Sequence, residues 1–192
     1  MSRFEQIHPQ TRAEWRSWLE THHEHSPGVL VVQWRGITGK PRMTYDELVE
    51  EALCFGWIDS RAHKLDDERS ANTMTPRRPT SVWARSNKER IERLIAEGRM
   101  THAGLRVVEI AKANGSWTML DDVDALVIPD DLSAALAENE AAQEHFAAFP
   151  PSAQKIILYW IKSAKRPETR RRRITETVRL AAANLRAGSP AG

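Results

Sequence analysis

The sequence predicts a helix-rich α+β fold, with a small antiparallel sheet within residues 29–75 surrounded by helices and followed by a compact helical C-terminal unit. Apolar residues recur at helical spacing over most of the chain, which indicates many amphipathic helices. The β-branched segment Val29–Trp34 and two further strand-like segments are confined to the first 75 residues. Strands and helices that occupy separate parts of a chain are typical of the α+β class.

Capping boxes mark the start of the first two helices. Thr11 lies three residues before Glu14, and Thr44 lies three residues before Glu47, the spacing at which side chains and backbone amides cap each other. We expect the second helix to end at Gly56, because glycine adopts the left-handed conformation of a helix end without a steric penalty.

A β-hairpin is expected directly after the second helix. Its strands are predicted at residues 57–63 and 69–75, around an acidic turn at residues 66–68. Together with Val29–Trp34, these strands form the predicted sheet.

Capping residues and prolines divide the rest of the chain into helices. Ser81 and Thr101 are expected to cap two of them, a loop is predicted at residues 116–129, and a helical region then extends to residue 149. Two further helices follow Pro150 and Pro167, because proline is well tolerated in the first turn. The expected core positions are Ile91, Leu94 and Ile95, then Leu105, Val108 and Ala111, then Ile156, Ile157, Trp160 and Ile161, and finally Ile174, Val178, Ala181 and Leu185.

Two structural parts are predicted: an N-terminal α+β part at residues 1–128 and a C-terminal helical module at residues 129–192. We expect the module to pack on the first part as one globular unit, because the connection contains the apolar segment Leu126, Val127 and Ile128, whereas a flexible linker is polar. The tail at residues 188–192 is expected to fray.

The composition predicts a folded, cytoplasmic protein without a membrane span. Hydrophobic residues make up 41% of the chain and charged residues 28%, as in ordinary globular proteins. No apolar run approaches the roughly 18 residues that a spanning helix needs, and the N-terminus lacks the apolar stretch of a signal peptide. The single cysteine, Cys54, fits a reducing compartment and is interpreted as a buried structural residue.

Familiar catalytic and metal-binding patterns are missing from the sequence. It contains no Gly-x-Ser-x-Gly, Walker or dinucleotide-binding motif, so an enzymatic activity stays an open question and no cofactor is expected. No metal site is predicted, because the consecutive residues His22 and His23 would point about 100° apart on a helix.

A group of charged and aromatic residues in and after the hairpin is the main candidate site. Its members are Trp57, Asp59, Arg61, Arg77, Arg78, Trp83 and Asn87. Arginine side chains bind carboxylates and phosphates, and indole rings stack on planar groups, so the group suits a small anionic or planar ligand. The alternative interpretation is architectural: Asp59 pairs with one arginine and ties the hairpin to the following helix.

A basic segment near the C-terminus is a second candidate. Residues 162–179 contain eight Lys or Arg residues and two Glu. Its centre is the run Arg170, Arg171, Arg172 and Arg173. Such a segment either contacts nucleic-acid phosphates or forms a solvated face, and four consecutive helical residues spread around most of the helix.

Several long stretches resemble the YdeI/OmpD-associated, bacteriocin-protection family. They are TYDELVEEALCFGWIDSR (44–61), LDDERS (65–70), TPRRPTSVW (75–83), ERLIAEGRMTHAGL (92–105) and FPPSAQKIILYWIKSAKRPETRRRRITETVRLAAA (149–183). The resemblance implies a bacterial protein with a link to tolerance of bacteriocins, antimicrobial peptides or stress. It implies no particular reaction, cofactor or catalytic residue.

Three functional hypotheses follow. The first is a stress- or bacteriocin-protection protein that binds a small anionic or planar ligand or a protein partner at the group around Arg77. The alternative is a nucleic-acid-associated protein that uses the C-terminal arginines. The third is an enzyme acting on a small anionic substrate, for which Asp59 is the one candidate titratable group.

Overall fold

The computed structural model describes residues 4–188, which form four β-strands and nine α-helices, and it confirms the helix-rich α+β class. The strands are Glu5–Ile7 (β1), Val29–Trp34 (β2), Trp57–Lys64 (β3) and Arg69–Pro76 (β4). The helices are Arg12–His22 (α1), Tyr45–Cys54 (α2), Arg85–Ala96 (α3), His102–Ala113 (α4), Asp121–Asp124 (α5), Asp130–Ala137 (α6), Glu140–Ala148 (α7), Pro151–Lys162 (α8) and Pro167–Ala182 (α9). The chain divides into two compact units, Met1–Met119 and Leu120–Gly192, and each is described by itself.

The sheet has the strand order β1-β2-β4-β3. The predicted hairpin is confirmed: β3 and β4 are antiparallel, with a register shift between Asp59 and Arg61, and β4 also pairs antiparallel with β2. The antiparallel sheet predicted within residues 29–75 is confirmed, and the structure adds the edge strand β1, which pairs with β2 in parallel and makes the whole sheet mixed. A three-residue strand is too short to show a period, so the sequence pattern did not indicate it.

Helices cover one face of the sheet and enclose the core of the N-terminal unit. The largest fully buried side chains there are tryptophans, and the indole nitrogen of Trp15 donates a hydrogen bond to the Leu48 carbonyl at 3.0 Å. This contact joins α1 to α2, because Trp15 lies in the first helix and Leu48 in the second. The buried indole therefore has a partner for its polar atom, as a core tryptophan requires.

The structure confirms some of the predicted helix starts and contradicts one. Thr44 and Glu47 form a complete capping box on α2, and Thr101 caps α4 by accepting from the Gly104 amide. The cap predicted at Ser81 is wrong, because α3 begins at Arg85. Residues 78–84 instead form a turn that lets Trp83 pack with only 1% of its surface exposed before the helix starts.

The C-terminal unit is helical, with more breaks than expected. The loop predicted at residues 116–129 contains the short helix α5, and the helical region to residue 149 is two helices. The second of them begins at residue 140, because the Asn139 side chain accepts a hydrogen bond from the Ala142 amide.

Some predicted core positions face outward. Ile95, Ile156 and Leu185 are 46%, 48% and 56% exposed. On α8 the buried face is Ala153, Ile157, Leu158 and Ile161, because both α5 and α9 pack against this helix. Leu185 is not part of the buried face of α9, because this helix ends at Ala182. Residues 189–192 of the tail that was predicted to fray lie outside the described residues.

Among residues 4–188, no helix has the length and apolar character needed to cross a bilayer.

Candidate anion-binding site

Arg77 is the central residue of the candidate site. It directly follows β4, and its amide donates to the Gly56 carbonyl at 2.9 Å, which fixes the backbone. Its guanidinium lies 3.7 Å above the Trp83 ring, and Nη2 donates to the Val82 carbonyl. Only 8% of Arg77 is exposed. Its Nε is buried and makes no hydrogen bond to any residue of the described chain.

This arginine is a buried cation without a counterion. Within residues 4–188 no carboxylate forms an ion pair with it. Burial lowers the pKa of Arg77 to about 10, although the charge of Asp59 acts in the opposite direction. The guanidinium still carries its charge at neutral pH, so the unit bears a desolvation cost that an anion would offset.

A cavity of about 540 Å³ lies beside Arg77. Its polar walls come from His23, Glu24, Arg77, Thr101, His102 and Arg106, and the Glu24 side chain is 70% exposed. Three of these residues belong to the start of α4, a 12-residue helix whose N-terminus carries positive partial charge. Two arginines and a helix N-terminus therefore line one space together with one exposed carboxylate, Glu24, and the balance of charge favours an anion.

Close backbone contact places α4 at the cavity. The amide and the hydroxyl of Thr101 both donate to the Cys54 carbonyl, at 3.1 and 2.6 Å. Gly104 permits this approach, because a Cβ at that position would lie 2.3 Å from the same carbonyl oxygen. At Gly56, where φ is +74°, a Cβ would lie 2.7 Å from Val107. Both glycines are thus needed to bring the helix N-terminus to Arg77.

The aromatic members of the predicted group serve packing. Trp57 is 1% exposed, its indole nitrogen donates to the His23 carbonyl at 3.2 Å, and its ring meets Trp18 edge-on. Trp83 lies below Arg77 and contacts Trp117 with a ring separation of 4.9 Å. Trp57 forms part of the cavity wall, and Trp83 supports the arginine from behind.

The remaining predicted residues lie away from the cavity lining. Asp59 accepts a hydrogen bond from the Tyr45 hydroxyl at 2.7 Å and forms no ion pair with an arginine among the described residues. Burial and this hydrogen bond raise the pKa of Tyr45 to about 12. Arg61 and Arg78 are exposed, and Asn87 accepts from Arg90 at 3.2 Å. The structure therefore brings Trp57, Arg77 and Trp83 together and leaves the other four outside.

Sequence reasoning missed the contribution of α4. Thr101 was identified only as a cap, and His102 and Arg106 were not considered. Their spacing of four residues on a capped helix, with a histidine in the first turn, was the available signal.

A second charged cluster was also missed, and we call it the Glu50–Glu51 network. The two glutamates are consecutive on α2 and are only 4% and 2% exposed. Four arginines from other segments surround them: Arg12, Arg16, Arg93 and Arg99. Buried carboxylates of this kind are stable only when paired, so the network fixes α1 and the end of α3 to α2.

The C-terminal arginines do not share one exposed surface. Arg170 makes two hydrogen bonds to Asp131, at 2.6 and 2.8 Å. Arg173 donates to the Trp160 carbonyl and to the Ser163 hydroxyl. Arg171 and Arg172 are exposed, and their side chains form no hydrogen bond or ion pair within residues 4–188. Two of the four side chains are therefore available to an external phosphate without rearrangement.

Cys54 is expected to be inert in the native protein. The thiol is fully buried, and burial followed by the charge of Glu51 raises its pKa to about 11, against an opposing effect of Arg16. Since the thiolate is the reactive form, a disulfide reagent added at pH 8 should label the unfolded chain quickly and the native chain only at the rate of unfolding. Rapid labelling of the native protein at this pH would contradict the assignment.

Comparison with known families covers most of the chain. Residues 7–107 match a domain of unknown function, DUF8412, and residues 125–184 match the family described as bacteriocin-protection, YdeI or OmpD-associated. The resemblance seen at residues 149–183 is confirmed, and the stretches quoted between residues 44 and 105 lie in the DUF8412 match. No curated protein and no solved structure matches the chain significantly. The chain therefore belongs to the DUF8412 family through its N-terminal part and carries a C-terminal domain of the bacteriocin-protection, YdeI or OmpD-associated family.

Proposed function

We propose that this protein has a role related to bacteriocin protection and that its N-terminal unit binds a small anionic ligand at Arg77. The first part rests on the family description of the C-terminal domain. The proposed ligand binding rests on Arg77, which is buried beside a cavity and forms no ion pair with a carboxylate of the described chain.

The chemistry of the lining indicates the class of ligand. A carboxylate or phosphate group would satisfy the charge of Arg77 and accept hydrogen bonds from Arg106 and the first turn of α4. A cavity of about 540 Å³ is large enough for a small metabolite and too small for a folded partner. Asp59, the carboxylate considered for catalysis, does not line this cavity, so we prefer binding to catalysis.

The Arg77→Met variant tests this proposal in a thermal-shift screen of carboxylic acids, sugar phosphates and nucleotides. A ligand at 100 times its Kd adds about 2.7 kcal/mol of stability, which raises the midpoint by roughly 5–10 °C for a chain of this size. We expect the wild type to show such a shift with at least one small anion and Arg77→Met to lose it. Methionine keeps an apolar stem over Trp83, so we expect the variant to fold.

Arg78→Met is the matched control. Arg78 is the next residue, carries the same charge and is exposed outside the cavity lining, so its loss should leave the shift unchanged. A shift that survives Arg77→Met, or no shift with any small anion, would reject the proposal. A shift produced only by nucleic acid and lost at high salt would also reject it, and would favour the exposed Arg171 and Arg172.

A further inference from the structure

We propose that Arg12, Arg16 and Arg99 of the Glu50–Glu51 network form a second anion site, specific for a phosphate group. The site shares no lining residue with the Arg77 cavity, so it goes beyond the function proposed above. The three arginines line a separate cavity of about 540 Å³ together with Glu51, Ala13 and Gly98.

The arginines are held in place before any ligand arrives. Glu51 accepts from Arg12 at 2.5 Å, from Arg16 at 2.8 Å and from Arg99 at 2.5 Å. Each arginine side chain is only about a third exposed or less, with values of 29%, 32% and 27%. Long side chains ordinarily lose rotamer freedom on binding, and here the buried glutamate has already fixed them.

One donor group of the arginines remains unused. Nη1 of Arg12 donates to no residue within the described range 4–188, whereas the Arg16 side chain also hydrogen-bonds the Cys54 thiol. Four arginines of the network face its two buried glutamates, so the network has a surplus of positive charge apart from the exposed carboxylates beside it. Several fixed N–H donors around one space suit a phosphate, which offers more acceptor oxygens than a carboxylate.

Two exposed carboxylates now occupy the rim. Glu20, 54% exposed, lies 3.2 Å from Arg16, and Glu97, 41% exposed, lies 3.1 Å from Arg99. Exposed pairs of this kind contribute little, so a phosphate can displace them at small cost. The proposal can therefore be tested by removing these two negative charges, which should increase the affinity for phosphate.

The experiment is a titration of the full chain with inorganic phosphate and, separately, with glycerol 3-phosphate at low ionic strength, followed by backbone amide NMR. We expect signals around residues 12, 16 and 99 to move. The double variant Glu20→Gln/Glu97→Gln should tighten binding by about twofold to tenfold, since each exposed pair is worth less than about 1 kcal/mol. Arg16→Gln should weaken it by about tenfold or more.

Glu89→Gln/Glu92→Gln is the matched control, because it removes the same charge from exposed positions of α3 outside the cavity lining. If this control increases the phosphate affinity equally, the effect comes from net charge alone and the proposal is overturned. Amide signals that do not move at the three arginines would also overturn it. If Arg16→Gln fails to fold, the Glu20→Gln/Glu97→Gln variant and its control still test the proposal.

Binding of either probe supports the site, and the probe that binds more tightly identifies whether the phosphate is free or esterified. Arg77→Met should bind phosphate here normally, so failure at one site is distinguishable from failure at the other.

Discussion

Replacing Glu51 by glutamine is expected to destabilise the N-terminal unit by about 2–4 kcal/mol, one of the largest effects in the protein. Glu51 is 2% exposed and its carboxylate bonds three arginines, so the substitution leaves their charges without a central partner. The loss should fall short of that of a fully buried pair, because each arginine keeps about 30% of its surface in water.

Urea unfolding followed by tryptophan fluorescence measures this effect. Six of the seven tryptophans lie in the N-terminal unit, so the signal reports mainly on that unit. Glu92→Gln is the control, since Glu92 is exposed on α3 and its substitution should change stability by less than about 0.5 kcal/mol. A change at Glu51 as small as that of the control would show that the network does not stabilise the fold.

Gly104→Ala is expected to destabilise the same unit by about 3 kcal/mol, against the trend of helix propensity. In an exposed helix interior this substitution stabilises by up to about 1 kcal/mol. At residue 104 the added Cβ would lie 2.3 Å from the Cys54 carbonyl oxygen and 2.8 Å from that of Leu53, and both atoms are backbone, which has little freedom to move. A loss of stability therefore indicates the tertiary contact with α2, and a gain indicates that local helix propensity dominates.

The same substitution should weaken anion binding at Arg77, because the first turn of α4 forms part of that cavity. Gly36→Ala is the control: its added Cβ would meet only the end of the Arg42 side chain, at 3.2 Å, which can move aside. Chemical denaturation and the thermal-shift screen measure the two effects. A Gly104→Ala variant as stable as the wild type would contradict the close approach of α2 and α4.

The arginines of the two proposed anion sites lie in different electrostatic settings. Arg77 is buried and forms no ion pair within residues 4–188, which predicts that a ligand gains from neutralising it. Arg12, Arg16 and Arg99 are already paired with a buried carboxylate, which predicts weaker binding that depends on charges at the rim. The salt dependence of binding should therefore be steeper at the second site, since its arginines are more exposed.

Part of the candidate site followed from the sequence. Trp57, Arg77 and Trp83 lie near one another, because the hairpin and the turn after it bring residues near 57 and 76 together, and their part in ligand binding stays a prediction. The sequence could not show that Asp59 bonds Tyr45 rather than an arginine, since several basic residues were equally near along the chain. It also gave no reason to place Arg106 in the lining of the same cavity as Arg77, because this placement depends on how α4 packs against the end of α2.

The sequence by itself determined the features that depend on neighbours within a few residues. The capping box at Thr44, the cap at Thr101, the helix end at Gly56 and the turn of the hairpin each close hydrogen bonds over two to five positions, so residue type and spacing were enough to predict them. Tertiary structure alone decided the parallel strand β1, the exposure of Ile156 and Leu185 and the burial of Glu50 and Glu51. Those outcomes depend on contacts between distant parts of the chain. The native packing has the lowest free energy because it buries apolar surface and at the same time pairs buried charges such as Glu50 and Glu51.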